Sequence, residues 1–228
     1  MTYARSTPLL RLLQLSDTAF PTGSFAHSMG LEAFVGAGRL RSVEDLERLA
    51  AIYLNSLSTS DCVALRAAYA TRLDQVIEID RLLSATKLTR ELRSASTATG
   101  GRFLASVAAL GVEGPVLEDY TRAVRGDEAP GNMAVGYGVA APALRLGVEE
   151  ALLSYLYAAA SSLVAAGQKL IPLGGSAAQR VLYRLDGEIT RAVEKSEEVA
   201  LEDMCAFAPE VDVRSMLHER QRVRLYIS

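Results

Sequence analysis

Residues Ala151 to Gln168 carry no charge. An uncharged run of this length either spans a bilayer or forms a helix enclosed by protein. Ser154, Tyr155, Tyr157, Ser161, Ser162, Gly167 and Gln168 scatter polar groups through it, and alanine supplies much of the rest. That makes a membrane span a poor fit and a helix buried on most sides the better one. Val148, Leu152, Leu156, Ala159 and Leu163 would line its inner face.

The rest of the chain repeats the helical theme. Leu46, Leu49, Ala50, Tyr53, Leu54 and Leu57 fall on one helical face, and Ser42 before Val43-Glu44-Asp45 reads as an N-cap followed by an acidic first turn. Val76, Ile79 and Leu83, then Leu88, Leu92 and Ala95, make a second face. Phe103, Val107 and Leu110 make a third, stopped at Gly111. Val181, Leu185, Ile189 and Ala192 make another. Punctuation falls at Pro21–Gly23, Gly100-Gly101, Gly111–Pro115, Gly126–Gly131 and Pro172–Gly175. No period-two alternation flanked by hairpin turns is evident. With tryptophan absent and aromatic residues at 6%, burial must come from Leu, Ala and Val, which suits close-packed helices. The fold class expected is all-α: residues 1–228 as a single compact bundle of about eight to ten helices. Residues 1–8 are expected to be flexible, and an arginine-rich tail closes the chain. The small residues from Gly131 to Ala143 read as a site of close helix approach.

Several kinds of chemistry find no support. A net charge of −3 gives no basic face for nucleic acid. The first eight residues lack a signal-peptide core, and two isolated cysteines, Cys62 and Cys205, read as small core residues of a protein kept in the reducing cytosol. No paired Cys or His spacing for a closed metal site occurs, and no phosphate loop. Gly136-Tyr137-Gly138-Val139-Ala140-Ala141 matches a dinucleotide fingerprint only formally, with no strand before it. Two histidines, His27 and His218, leave little material for a nucleophile with its base. His27 reads as a hydrogen-bonded structural residue, and an enzyme built on His27, Ser24 and Glu32 is the rival class. No cofactor is expected.

Three segments stand out. Phe20-Pro21-Thr22-Gly23-Ser24-Phe25-Ala26-His27-Ser28-Met29-Gly30-Leu31-Glu32 contains a tight turn, with Ser24 placed to cap a helix. Gly30 would lie inside that helix at a cost of about 1 kcal/mol, which points to another backbone close by. Gln168 to Ser176 follows the uncharged helix, and Lys169, its first charge, is expected at the surface. At the end of the chain Arg214, His218, Arg220, Arg222 and Arg224 interleave with Met216, Leu217, Val223, Leu225 and Tyr226. Such a segment either packs on its own bundle or is ordered by a partner.

In this order the three segments resemble the urease accessory protein UreF family. Leu12-Leu13-Gln14-Leu15 with FPTGSFAHSMGLE is similar to its N-terminal signature, QKLIPLGG to its central loop and SMLHERQRVRLYIS to its ending. Thr22, Asn132, Val223 and Tyr226 depart from the usual pattern, Asn132 standing where the family has His. The resemblance implies an all-α homodimer without catalytic residues or a metal site of its own. It implies a scaffold bridging UreD (also called UreH) and the GTPase UreG, which supports GTP-dependent nickel insertion into apo-urease in the cytoplasm. It makes residues 210–228 a partner-binding tail. The partner contacts it implies are Phe25, His27, Lys169, Arg214, His218, Arg220, Arg222, Arg224 and Tyr226.

Overall fold

The uncharged run lies within one helix, Val148–Leu170, around which much of the chain is wrapped. A computed structural model describes residues 6–24, 27–219 and 225–226. Among these are twelve α-helices: α1 (Ser6–Ser16), α2 (Leu31–Gly36), α3 (Val43–Ser58), α4 (Asp61–Ala68), α5 (Leu73–Thr86), α6 (Arg90–Ala109), α7 (Pro115–Arg125), α8 (Met133–Ala143), α9 (Val148–Leu170), α10 (Gly175–Arg184), α11 (Asp186–Glu198) and α12 (Pro209–His218). A 3-10 turn covers Leu201–Asp203, and the described residues contain no strand. The expected all-α bundle is present. Short helices such as α2, six residues long, are too brief to show a periodicity in sequence. Helix α1 begins at Ser6, inside the stretch 1–8 expected to be flexible.

Local chemistry sets the boundaries. Ser42 accepts from the Asp45 amide while the Asp45 carboxylate accepts from the Ser42 amide, a reciprocal cap on α3. Gly111, at φ 71°, ends the turn after α6 in the left-handed region. Leucine and glycine patterns mislead in two places. Leu88 sits between α5 and α6 and is 55% exposed, so it belongs to no buried face. Gly100-Gly101 is not a break but the interior of α6.

Helix α9 touches α1, α2, α3, α4, α8, α10 and α11. On its inner side Tyr155 meets Tyr137 edge-on at 5.6 Å, and Tyr137 stacks on Phe103 at 4.6 Å, which joins α9, α8 and α6 in one aromatic column. The small residues of α8 serve packing, as expected. A Cβ on Gly138 would strike the Leu65 carbonyl oxygen and come within 3.1 Å of Ala68 Cβ, so α4 and α8 cross nearly backbone to backbone. The formal dinucleotide fingerprint is therefore spent on helix contact inside the bundle. No helix of the described residues is long and apolar enough to cross a membrane.

Two buried carboxylates stitch the bundle. Asp80 of α5 accepts from Tyr120 Oη (2.8 Å), the Gly131 and Asn132 amides (2.7 and 3.0 Å) and Asn132 Nδ2 (2.7 Å). Asn132 also donates to Ser84 Oγ and the Asp80 carbonyl, so it fixes α5 to the head of α8. Asp61 of α4 accepts from Tyr155 Oη (2.9 Å), Ser60 Oγ (3.1 Å) and Lys87 Nζ (2.6 Å). Each carboxylate is thus paid in hydrogen bonds for the water it gave up. Cys62 beside Asp61 is buried, as expected, and its thiol is pushed well up by burial and then by the Asp61 charge. Cys205 is a correction: it is exposed, because its backbone pairs with Thr59 in a surface loop.

Candidate functional site

The N-terminal motif, α12 and the end of the chain converge on one corner of the molecule. The chain enters α2 through Met29 (φ 52°) and Gly30 (φ 84°), two consecutive left-handed residues. This conformation is uncommon for a residue with a side chain and is natural for glycine. Gly30 is therefore the N-cap of α2 and not, as expected, a residue within a helix. The close backbone inferred from it is real: a Cβ there would lie 3.5 Å from the Ser215 amide nitrogen of α12. Among the described residues Ser24 caps no α-helix; its hydroxyl accepts from Thr22 and Ser162.

Helix α12 starts with Pro209, whose missing N–H costs nothing at a first helical position. Val211, Asp212, Ser215 and His218 face inward against α2 and α6, with Ser215 Oγ and Thr89 Oγ1 sharing a hydrogen bond of 3.1 Å. Val213, Met216 and Leu217 occupy the opposite face at 53%, 46% and 47% exposure. Of the two readings of the tail, the first part packs on its own bundle yet leaves an apolar stripe outward.

His218 is fully buried at the last turn of α12. Its Nδ1 lies 3.0 Å from Glu91 Oε2 on α6, and its Nε2 lies 3.1 Å from Glu32 Oε2 on α2. Glu32 then accepts from the Leu225 amide (2.9 Å) and the Tyr226 amide (3.2 Å). Burial pushes the Glu32 carboxyl up, but the Leu225 amide, His218 and the Tyr226 amide outweigh it and hold it below the usual carboxylate range. Tyr226 is buried, its hydroxyl 3.4 Å from the Ala166 carbonyl, and Lys169 Nζ stands 5.7 Å from its ring centroid. The Arg214 guanidinium lies 5.8 Å from the Phe34 ring centroid on α2.

The residues singled out in sequence separate accordingly. Lys169, Arg214, His218 and Tyr226 meet at this corner; Lys169 is exposed as expected. His27 is buried, and its ring is held below the usual imidazole range by burial and then by the Arg102 charge. Phe25, Arg220, Arg222 and Arg224 lie outside the described residues. The rival grouping of His27, Ser24 and Glu32 is spread over different bonds, Glu32 serving His218 and Ser24 serving Thr22 and Ser162. Glu91 was not singled out, since nothing in sequence marks a first-turn glutamate as the partner of a histidine 127 residues away. The two carboxylates face opposite ring nitrogens and do not converge on a point. No group of three or more His, Cys, Asp or Glu among the described residues is placed to hold a metal ion.

A cavity of about 110 Å³ lies behind this corner, walled by Asp212, Lys87, Asp61 and Tyr155 with Phe20 and Leu57. Burial raises the Asp212 carboxyl, partly offset by the Ala208 amide and by Lys87.

The UreF family model matches residues 40–186. The chain is similar to the urease accessory protein UreF of Paenarthrobacter aurescens (strain TC1), with 37% identity over 98% of this chain and 99% of the relative. It is similar to the proteins of the same description from Arthrobacter sp. (strain FB24), 37% identical over 96% of each chain, and Corynebacterium glutamicum (strain R), 34% identical over 95% and 96%. The chain belongs to the UreF family of urease accessory proteins.

Proposed function

We propose that this chain is a homodimeric scaffold of the cytoplasm that binds UreD (UreH) through its C-terminal segment and holds the GTPase UreG beside it, so that nickel insertion into apo-urease is coupled to GTP hydrolysis. A scaffold of this kind acts by binding one nucleotide state of its GTPase more tightly than the other, not by chemistry of its own. The observation that carries the docking assignment is the outward stripe of Val213, Met216 and Leu217 on α12, continued by Leu225 at 76% exposure. Apolar side chains at helical spacing on a short, two-faced helix are the usual anchors for a protein partner. Lys169 and Arg214 flank the same corner, and Phe25, Arg220, Arg222 and Arg224 are assigned to the same partner surface. His218 lies buried on the inner face of the same helix, and His27, also buried, is assigned to the support of that surface.

The homodimer rests on a second stripe. Leu9, Leu10 and Leu13 of α1 are 58%, 63% and 56% exposed, and Tyr157 on the neighbouring α9 is 41% exposed. The test is capture of UreD and UreG by the tagged chain, with GTP and with GDP. A chain ending after Glu219, or one carrying Met216→Asp with Leu217→Asp, should lose UreD while keeping its helical content. Undiminished UreD capture by both variants would overturn the assignment.

A further inference from the structure

His218 joins three parts of the chain that sequence keeps apart, and the way it does so depends on its protons. A neutral imidazole has one N–H; an imidazolium has two. Here both ring nitrogens face carboxylate oxygens, at 3.0 Å to Glu91 and 3.1 Å to Glu32, and a carboxylate can only accept. With one proton lost, a lone pair would face a carboxylate oxygen at that distance.

We propose that His218 is a proton-operated clasp: as an imidazolium it bridges Glu91 and Glu32 and so holds Leu225–Tyr226 against the body, and on losing a proton it lets Glu32 and that segment swing away.

Glu32 is the carboxylate that yields. Its side chain is 14% exposed against 8% for Glu91, and it stands in the first turn of a six-residue helix behind two left-handed residues. Glu91 is in the first turn of the twenty-residue α6. Once Glu32 turns, the Leu225 and Tyr226 amides lose their acceptor together. Among the described residues most other charged groups around α12 have partners of their own, and Asp212, whose carboxyl burial raises, keeps one oxygen without a hydrogen bond. Arg39 pairs with Glu210, Arg90 with Glu219, Lys87 with Asp61 while facing Asp212, Arg214 covers Phe34, and Lys169 covers Tyr226. None of those pairs changes charge near neutral pH, whereas histidine is the residue type whose charge can change with modest shifts in pH. The device fits the docking assignment, since a segment held down by a proton is withheld from a partner until the proton leaves; that consequence rests on the function proposed above, whereas the clasp is a property of this chain alone.

The test follows amide hydrogen exchange of a C-terminal peptide containing Leu225 and Tyr226 in the full-length protein, from about pH 5.5 to 8.5, corrected for the intrinsic rate. Protection should fall about tenfold or more between the acid and the alkaline end of this range, in keeping with loss of hydrogen bonds to a charged acceptor. His218→Gln, which cannot gain a proton, should be low and flat. Glu32→Gln, on a partly exposed side chain, should also be flat and serves if His218→Gln fails to fold. Nitrogen-15 shifts of His218 should report an imidazolium while the segment is closed. A flat wild-type profile, or a neutral ring in the closed state, would overturn the clasp. UreD capture that ignores pH while the exchange step persists would remove the docking assignment and leave the clasp standing.

Discussion

The two adjacent glycines of α6 offer a matched experiment. Gly101 has nothing within 4 Å of where a Cβ would sit, so Gly101→Ala simply gains helix propensity and shrinks the freedom of the unfolded chain. It should stabilise by about 0.5–1 kcal/mol. Gly100→Ala makes the same gain, but its Cβ would drive into the Gly131 carbonyl oxygen and lie 2.6 Å from the Met133 amide nitrogen and 2.7 Å from the Asn132 carbonyl carbon. All three are backbone atoms of one loop, and the Asp80 carboxylate grips that loop through the Gly131 and Asn132 amides. Relief requires the loop to lift off α6 and stretch those bonds. Overpacking of a tight site costs about 1–3 kcal/mol, and weakening a hydrogen bond to a charged group adds about 1.5 kcal/mol. After subtracting the propensity gain, Gly100→Ala should destabilise by roughly 2 kcal/mol. For a chain of this size that corresponds to melting temperatures about 4–8 °C lower for Gly100→Ala and about 1–4 °C higher for Gly101→Ala. Urea titrations followed by circular dichroism at constant slope measure the free energies directly. Equal signs for the two variants would refute the close approach of α6 to the α7–α8 loop.

Lys87→Met removes the cation from a pair whose side chains are 10% and 3% exposed and leaves the buried Asp61 charge with only the Tyr155 and Ser60 hydroxyls; a loss of about 3–5 kcal/mol is expected in the same titration, and under 1 kcal/mol would show the pair to be well hydrated. His27, held below its ordinary value of 6.5 by burial and Arg102, stays neutral in the fold while the unfolded chain takes up a proton. Its contribution is whole above that pH and erodes as pH falls through it, so thermal melts of wild type and His27→Gln should diverge below about pH 6.5, with the wild type losing more. Glu32, lowered overall, works in the opposite pH range: its grip on Leu225 and Tyr226 is present above its ordinary 4.5 and fails as pH falls below its depressed folded value, which exchange of the same two amides at acid pH should reveal. Leu10→Asp with Leu13→Asp should give a monomer by light scattering with an unchanged helical spectrum, and a dimer that survives would move the seam elsewhere.

The bundle was legible where a residue's role is local. The charge-free run marked α9, Ser42 marked the start of α3, and Gly111 marked the stop after α6, because caps and periodicity act within one or two turns. Glycine was ambiguous: Gly100 and Gly101 read as a break because a missing side chain signals a turn and a tight crossing alike, and only tertiary contact decides between them. The corner held by His218 was half visible. The three motifs carry the residues, but Glu32 and Glu91 stand 186 and 127 positions from the histidine, and no spacing rule reaches that far. Cys205 escaped because loop exposure is set by the Thr59 backbone pairing and not by residue type.

The central place of α9 also bears on how the chain is made. Helix α1 is anchored by the Ser16–Ser154 hydroxyl pair and by Arg11 on the Leu144 carbonyl, partners 138 and 133 residues downstream. At ~5–20 residues per second, a ribosome needs about 7–30 s between these sites. Throughout that interval Leu12 and Leu15, the inward leucines of α1, have no α9 to rest on. The nascent chain therefore carries an exposed apolar segment until its fulcrum emerges, and a holdase is the kind of helper it would call for in that interval.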